Sequence, residues 1–380
     1  GEITGILQGF GLAVSSQVFQ FAAALEALLA LEILSGLLLV AGAILAARVS
    51  SWLNLLLALL LILLVLLVNP LNRKVRSISL GPGADPWSKL CWRLGRHYRS
   101  KNLIGTFPTS PRNDDRPHLY LVAHYDSKSQ RMPLVVRIAL FVVVIGGSLV
   151  FAGLNFLTLA SECFKPWMFA VGIGVLVCGI PLLFIDYGNQ SPGAIDNASG
   201  VGLVLHLAEL LIQQPAILEH LHLAVLITSA EELGLMGAQA YLQQHRPALK
   251  SHAERAGLYI LNFDGIGVEG KLYLAGGNSA ASLAGILQRS AEELSLPVGR
   301  FRLPGALFDH IPFAEAGCDA LTLVAIGTST GYIHTSQDTP GRLQLAGFQR
   351  TGQLALRAIE KFAGQALLHS PDPQEISHPC

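Results

Sequence analysis

Gly193-Ala194-Ile195-Asp196-Asn197-Ala198-Ser199-Gly200 ends a polar loop and opens an apolar helix expected over about Val201 to Leu211. Asp196 falls where a carboxylate projects from a loop, with Asn197 or Ser199 capping the helix behind it. Such a cap is common and means little alone. Four more fragments each put a metal-ligand residue type at a strand end or in a loop: His124-Tyr125-Asp126, Glu231-Glu232, Asn262-Phe263-Asp264 and Ile333-His334-Thr335-Ser336-Gln337-Asp338. Taken singly, each histidine reads as a satisfied polar side chain, Asp196 as a cap and the glutamate pair as a solvated loop. Their joint occurrence in one order overturns those readings.

Composition narrows the class. Of 380 residues, 51% are hydrophobic and only 14% charged, with a mean hydropathy of +0.48. Soluble domains carry about 25% charged residues, so a membrane protein is expected. Lys+Arg and Asp+Glu are both 26, a balance that offers nucleic acid no attraction. The five cysteines (91, 163, 178, 318 and 380) are scattered and form no CxxC pair, so neither a disulfide framework nor a thiolate metal site is expected. No short apolar core with a cleavage site follows Gly1, so no signal peptide is expected.

Gly1 to Ser16, apolar and glycine-rich, fits either an interfacial segment or a lead-in to the first helix. Val18 to Arg48 and Trp52 to Val68 read as two membrane spans joined by a tight loop, the second closed by Asn69-Pro70. Residues 71–101 crowd basic side chains, and Trp87 to Tyr98 reads as an amphipathic helix suited to the headgroup layer. Leu134 to Leu159 and Trp167 to Ile185 form two further apolar runs between His124 and Asp196. Both flanks of that hairpin carry candidate ligands, which sets the site close to a bilayer surface. In the fourth run Gly172, Gly174, Gly179 and Pro181 suit close helix packing.

After Gly200 helices and strands alternate. Strands are expected at His118 to Ala123, His222 to Thr228, Leu258 to Phe263, Lys271 to Ala275 and Ala320 to Ile326. Helices are expected at Met236 to Gln244, Ala281 to Leu294 and Leu343 to Phe362. This order predicts a three-layer α/β domain with a mixed, mostly parallel sheet, plus about four transmembrane helices. In such folds sites gather beyond the carboxyl ends of strands, where these fragments fall.

The motifs AHYDS, GAIDNASGVG, SAEELGLMGA, NFDGIG, FDHIPF and YIHTSQDT resemble the co-catalytic di-zinc aminopeptidases, the aminopeptidase Y and bacterial leucyl aminopeptidase type, over roughly Asn102 to Phe362. Related enzymes include membrane metallopeptidases of the endoplasmic reticulum; the inserted hairpin departs from the ordinary family. The resemblance implies a zinc-exopeptidase fold and two Zn2+, with Mn2+ or Co2+ as substitutes. It assigns His124 and Asp264 to one metal, Glu232 and His334 to the other, and Asp196 as the bridge. Glu231 is implied as general base for a metal-bridging water, and peptides as substrates. Asp126 is expected to contact the other ring nitrogen of His124. Asp338 is expected to support the His334 loop or cap the next turn. Asp309 and His310 are candidates for supporting or substrate contacts. Tyr332 is a candidate oxyanion donor, although Ile333 stands where some relatives place that tyrosine. The alternatives are a non-catalytic membrane receptor of the same fold and a glutaminyl cyclase-like acyl transferase. The expected organisation is an N-terminal hairpin (1–70), a basic linker (71–101), a peptidase domain (102–133 and 187–366), an inserted hairpin (134–186) and a tail (367–380). Lys and Arg flanking the spans place the catalytic domain in the cytoplasm, with a periplasmic or luminal placement as the alternative.

Overall fold

The computed structural model describes residues 1–81, 83, 85–108, 116–185, 187–277, 280–301 and 306–369, with side chains as far as residue 364. In chain order the elements are α1 (Glu2–Gly9), β1 (Ala13–Ala22), α2 (Ala24–Ala46), α3 (Ser51–Ile78), α4 (Pro86–Leu94), β2 (His97–Thr106) and β3 (His118–His124). There follow β4 (Ser129–Gln130), α5 (Leu134–Leu157), α6 (Lys165–Gly179), β5 (Tyr187–Gly188), α7 (Ser199–Ile212), α8 (Pro215–Leu218), β6 (His222–Thr228) and α9 (Met236–Arg255). The chain closes with β7 (Leu258–Asp264), β8 (Gly270–Ala275), α10 (Ala281–Glu293), β9 (Val298–Phe301), α11 (His310–Glu315), β10 (Asp319–Gly327) and α12 (Leu345–His369).

Eight strands form one mixed sheet in the order β1-β2-β6-β3-β7-β10-β8-β9. Its centre, β6, β3, β7 and β10, is parallel throughout. Parallel strands covered on both faces need near-continuous apolar runs, and His222–Thr228 and Leu258–Asp264 supply them. Alternate residues feed two cores. Leu119, Leu121 and Ala123 of β3 join α7, α10 and α12 on one face, while Val122 joins Tyr241 and Leu242 of α9 and Phe313 of α11 on the other. The three-layer α/β reading therefore holds.

Several boundaries differ from expectation at the N-terminus. Residues 1–22 are not part of a membrane hairpin: α1 packs Leu7 into the main core, and β1 pairs antiparallel with β2 from Ala13↔Thr106 to Ala22↔His97. The apolar run from Val18 conceals a period of two, since Gln17, Phe19 and Phe21 are buried while Ser16, Val18 and Gln20 are exposed. The first long helix consequently begins at Ala24. Nor does Asn69-Pro70 close the second run, because α3 continues through Pro70 to Ile78. Tertiary contacts hold its last turns, with Val75 buried beside Cys91 of α4 and Arg73 and Arg76 pairing with Glu315 of α11 at 3.2 and 3.4 Å. The amphipathic segment stops at Leu94 and the chain then enters β2, so the expected basic linker is in fact part helix and part sheet. The tail beyond residue 369 lies outside the described residues.

Among the described residues, five helical segments are long and apolar enough to cross a membrane. Four are Ala24–Ala46, Ser51–Ile78, Leu134–Leu157 and Glu162–Phe184, all largely unburied along their length. The fifth, Ala194–Ile212, is 56% buried and packs on the central strands, so it is a core helix of the α/β domain. Val40 and Ala43 (α2), Leu61 (α3), Phe151 (α5), and Met168 and Val175 (α6) form the seam of the four-helix bundle. A Cβ at Gly172 would lie 2.8 Å from both Ile44 and Phe151, and one at Gly179 would lie 2.5 Å from Leu37, so both glycines permit close approach. Gly174 meets nothing within 4 Å and has no such role.

Asn102 joins the edge of the sheet to the domain. Fully buried, it donates to Gln17 Oε1 (2.8 Å) and to the Gly237 carbonyl (2.9 Å), and it accepts from the Ser229 N–H (3.2 Å). Asn102→Ala would orphan three buried polar groups at once. The expected cost is about 3 kcal/mol, a fall of roughly 5–10 °C in the melting temperature of the detergent-solubilised protein. An unchanged melting temperature would remove Asn102 from this role.

Candidate metal centre

The carboxyl ends of the four parallel strands converge on one point. His124 is the last residue of β3 and Asp264 the last of β7; Glu231 and Glu232 follow β6, and His334 follows β10. Asp196 comes from the loop before α7, in a wide turn (Ala194–Ala198) where Asp196 (φ −119°, ψ 90°) and Asn197 (φ −139°, ψ 39°) leave helical geometry. The Asp196–Asn197 peptide bond is cis. Asn197 secures the turn, donating to the Phe263 carbonyl (2.8 Å) and accepting from Gly200 (3.0 Å) and Gly265 (3.3 Å). The expected helix cap is thus Asn197, while Ser199 bonds back to the Ile195 carbonyl at 2.7 Å. Gly200 is required here, since a Cβ would lie 2.4 Å from Asn197 Oδ1 and 2.5 Å from the Phe263 carbonyl.

Asp196 stands between the two histidines. Its Oδ1 lies 3.2 Å from His124 Nε2 and its Oδ2 lies 3.1 Å from His334 Nε2. Asp264 Oδ2 is 3.6 Å from His124 Nε2, and Glu232 Oε1 is 3.0 Å from His334 Nε2. Ligands held about 2.0–2.2 Å from a tetrahedral ion stand roughly 3.4 Å from one another, and these separations fall around that value. Two groups therefore have metal-ligating geometry, His124/Asp196/Asp264 and Asp196/Glu232/His334, with Asp196 common to both. The Nε2 atoms of His124 and His334 and Oε1 of Glu232 are buried without a hydrogen-bond partner, as atoms reserved for a cation would be. A mixed nitrogen and oxygen donor set of this kind suits zinc.

Electrostatics agree with the geometry. Burial opposes protonation of His334, but the charge of Glu232 and the close carboxylates of Asp196 and Glu232 outweigh it and raise its pKa to about 9. At His124 burial again opposes, and the charge of Glu231 with the nearby carboxylates of Asp126, Asp196 and Asp264 raises it well above the usual value. Burial also resists ionisation of Asp196, yet the two histidines hold its carboxyl far below the ordinary range. The cluster demands positive charge. Glu231 differs from its neighbour: burial drives its pKa well up, His124 only partly counters this, and the charges of Glu232 and Asp264 add to it. Its Oε2 lies 4.0 Å from His124 Nε2, at the edge of the cluster.

Surrounding residues take roles that spacing did not reveal. His124 Nδ1 donates to the backbone carbonyl of Asp126 at 3.0 Å, while that residue's carboxylate is 3.7 Å away. The Asp126 carboxylate instead accepts from the N–H groups of Glu231 and Glu232, both at 3.2 Å, and so fixes the glutamate pair. The Asp338 carboxylate bonds neither to His334 nor to the turn that follows; it receives the N–H groups of Ile195 (2.6 Å) and Asp196 (3.3 Å) and so holds the loop that carries Asp196. Asp309 is fully buried and bonded to Thr228, with burial pushing its pKa to about 7. His310 Nδ1 lies 2.7 Å from Thr322 Oγ1, which also accepts from Asn262, and burial lowers its pKa to about 4. Both therefore brace strands at the site. The Tyr332 ring is covered by the Arg342 guanidinium at 3.9 Å. His334 itself adopts a left-handed backbone (φ 64°), a conformation costly for a non-glycine residue, and its carbonyl is held by the Gln130 N–H at 2.8 Å.

Lys128 is the functional residue that sequence reasoning missed. Its ammonium donates to the Glu232 carbonyl at 2.8 Å and lies 2.9 Å from Glu232 Oε2. The available signal was its place four residues after His124. With burial opposing, Lys128 is the main influence that lowers the Glu232 carboxyl.

Residues 102–359 match Peptidase family M28. Aminopeptidase YwaD of Bacillus subtilis is 27% identical over 180 residues, covering 44% of this chain and 37% of that protein. Among solved structures the chain is similar to a zinc aminopeptidase from Bacillus subtilis (19% identity, 73% of this chain and 56% of that one, TM-score 0.47). It is also similar to a glutaminyl cyclase from Porphyromonas gingivalis (13% identity, 95% and 87%, TM-score 0.48). The chain spans only 37% and 56% of the length of these two aminopeptidases. All five candidate ligands and Glu231 fall inside the matched interval, and the chain belongs to peptidase family M28.

Proposed function

We propose that the protein is a membrane-embedded zinc aminopeptidase that removes N-terminal residues from peptides. The observation that carries this reading is the Asp196 carboxylate, shared between two ligand groups that each include one histidine and a second carboxylate. His124, Asp196 and Asp264 would hold one zinc ion, and Asp196, Glu232 and His334 the other. Two zinc ions bound there supply Lewis acidity, polarising the scissile carbonyl and acidifying the attacking water. Glu231, buried at the edge of the cluster with a raised affinity for protons, takes the proton from that water and delivers it to the leaving amine. Asp126, bonded to both glutamate N–H groups, keeps Glu231 and Glu232 in their separate orientations. The complete ligand set favours this reading over a receptor or a cyclase, whose relatives dispense with part of it.

The four apolar helices would span the bilayer and leave the catalytic site at its surface. Arg73, Lys74, Arg76, Lys128, Arg131 and Arg137 flank the peptidase side, and only Arg48 and Lys165 flank the other. This asymmetry favours a cytoplasmic catalytic domain.

Glu231→Gln should lower kcat on aminoacyl amides and peptides about 10²–10⁴-fold while zinc content stays at two per chain. Chelation should abolish hydrolysis, and added zinc should restore it. A zinc-loaded wild-type protein inert toward a broad peptide panel would sink the aminopeptidase reading. Sidedness has its own test. Cys163, exposed in the short link between α5 and α6, should react with an impermeant maleimide in intact cells in a Cys380→Ser background. Protection of Cys163 until the cells are opened would reverse the assigned orientation.

A further inference from the structure

We propose that Lys128 is a positioning residue that restricts Glu232 to a single metal-facing oxygen; the inference rests on the two-zinc reading above. The two carboxylate oxygens of Glu232 have separate partners. Oε2 lies 2.9 Å from Lys128 Nζ, whereas Oε1 points to His334 Nε2 at 3.0 Å and is buried without a hydrogen-bond partner. The same ammonium donates to the Glu232 backbone carbonyl at 2.8 Å, and the Tyr187 ring lies 5.2 Å from it. Three contacts thus fix the charge in a side chain only 17% exposed. A simple brace of the loop would need the carbonyl bond alone. The additional contact falls on the ligand's own functional group.

The consequence is chemical. A carboxylate with both oxygens free can grip a cation with one or with two. The Lys128 ammonium occupies Oε2 with a charge-assisted bond and leaves Oε1 as the only donor. With a metal bound by Glu232 and His334, this would keep room there for reacting groups. By drawing electron density from Glu232 it would also make such a metal a stronger Lewis acid.

Location adds a second feature. Lys128 begins the foot of the inserted hairpin, immediately before β4, whose residues Ser129 and Gln130 pair with Gly188 and Tyr187 at the hairpin's other end. It also lines a cavity of about 670 Å³ whose wall includes Glu26 and Ala27 at the start of α2, Arg96 and Arg99 of the β2 region, and Tyr187. A small cation from solvent can therefore reach the place of its ammonium.

Wild type, Lys128→Met, Lys128→Ala and Lys128→Arg, each loaded with zinc and separately with cobalt, test the inference. Two metals per chain in the wild type test the underlying reading independently, and fewer would overturn that reading rather than the role of Lys128. In Lys128→Met the freed oxygen should join the metal. The visible absorption of the cobalt form should weaken as a donor atom is added, and kcat should fall about 10–100-fold with KM nearly unchanged. Lys128→Arg, which keeps a donor on Oε2, should retain the wild-type cobalt spectrum. n-Propylammonium should restore activity to Lys128→Ala through the cavity, whereas n-propanol should not. A wild-type cobalt spectrum and kcat in Lys128→Met would overturn the proposal. So would parallel loss of metal and melting temperature without amine rescue, because that pattern describes a structural brace.

Discussion

One carboxylate sets the terms for the rest of the chain. Asp196 reaches His124 with one oxygen and His334 with the other, 3.2 and 3.1 Å away. His124 ends β3 and His334 follows β10, two strands separated in the sheet by β7. To meet there, the four central strands must be parallel, so that their carboxyl ends share one rim. The loop before α7 must also cross that rim without blocking it. Asp338 and Asn197 hold the loop down by five hydrogen bonds to its backbone and to the end of β7. These polar residues, buried and far apart in sequence, spend their hydrogen-bonding capacity on placing one aspartate.

The same crowding explains the electrostatic state of the site. Asp196, Glu232, Asp264 and Glu231 lie buried within a few ångströms of one another, and buried charge is tolerated only when paired. The histidines respond by becoming stronger bases, since protonation is one way to supply the missing positive charge. Divalent cations supply it more completely and use the orphaned nitrogen and oxygen atoms directly. Within this field Glu231 and Glu232 diverge although they are adjacent. Lys128 lowers Glu232, while burial and neighbouring anions raise Glu231. Opposite shifts in neighbouring carboxyls suit the proposed division of the pair into a metal ligand and an acid–base group.

What was legible in the sequence was whatever leaves a local mark. The buried parallel strands announce themselves as short apolar runs, and His222–Thr228 has the limits that its run gives. The ligands follow those runs, so their order and surroundings were visible too. The edge strand Ala13–Ala22 was not, because its alternation merges into the apolar helix that begins two residues later. Pro70 misled for the converse reason: it removes one N–H from a helix whose end is held by Glu315 across space. Supporting residues were the least legible. Sequence proximity suggested that Asp126 serves His124, and its backbone carbonyl does, but its carboxylate serves the backbone of Glu231 and Glu232 more than a hundred positions away. Asn102 and Lys128 act through partners equally distant, and no periodicity reports such pairings.

The inserted hairpin finally ties the bundle to the chemistry more closely than an anchor requires. An anchor could join the domain at one edge of the sheet, as α2 and α3 do between β1 and β2. This hairpin instead enters between two ligands, and its feet are clamped together by β4 and β5. From that clamp Lys128 reaches Glu232, and the Gln130 N–H holds the strained His334 backbone. Glu232 through its side chain and His334 through its backbone are thus held by residues that lead directly into a helix long enough to cross a bilayer. The Asp264 side of the cluster lacks such a connection, resting on β7 within the sheet. The two halves of the site consequently have different foundations, one in the sheet and one at the base of the hairpin. A tilt of α5 relative to the domain would bear on the Glu232–His334 half before it reached the other.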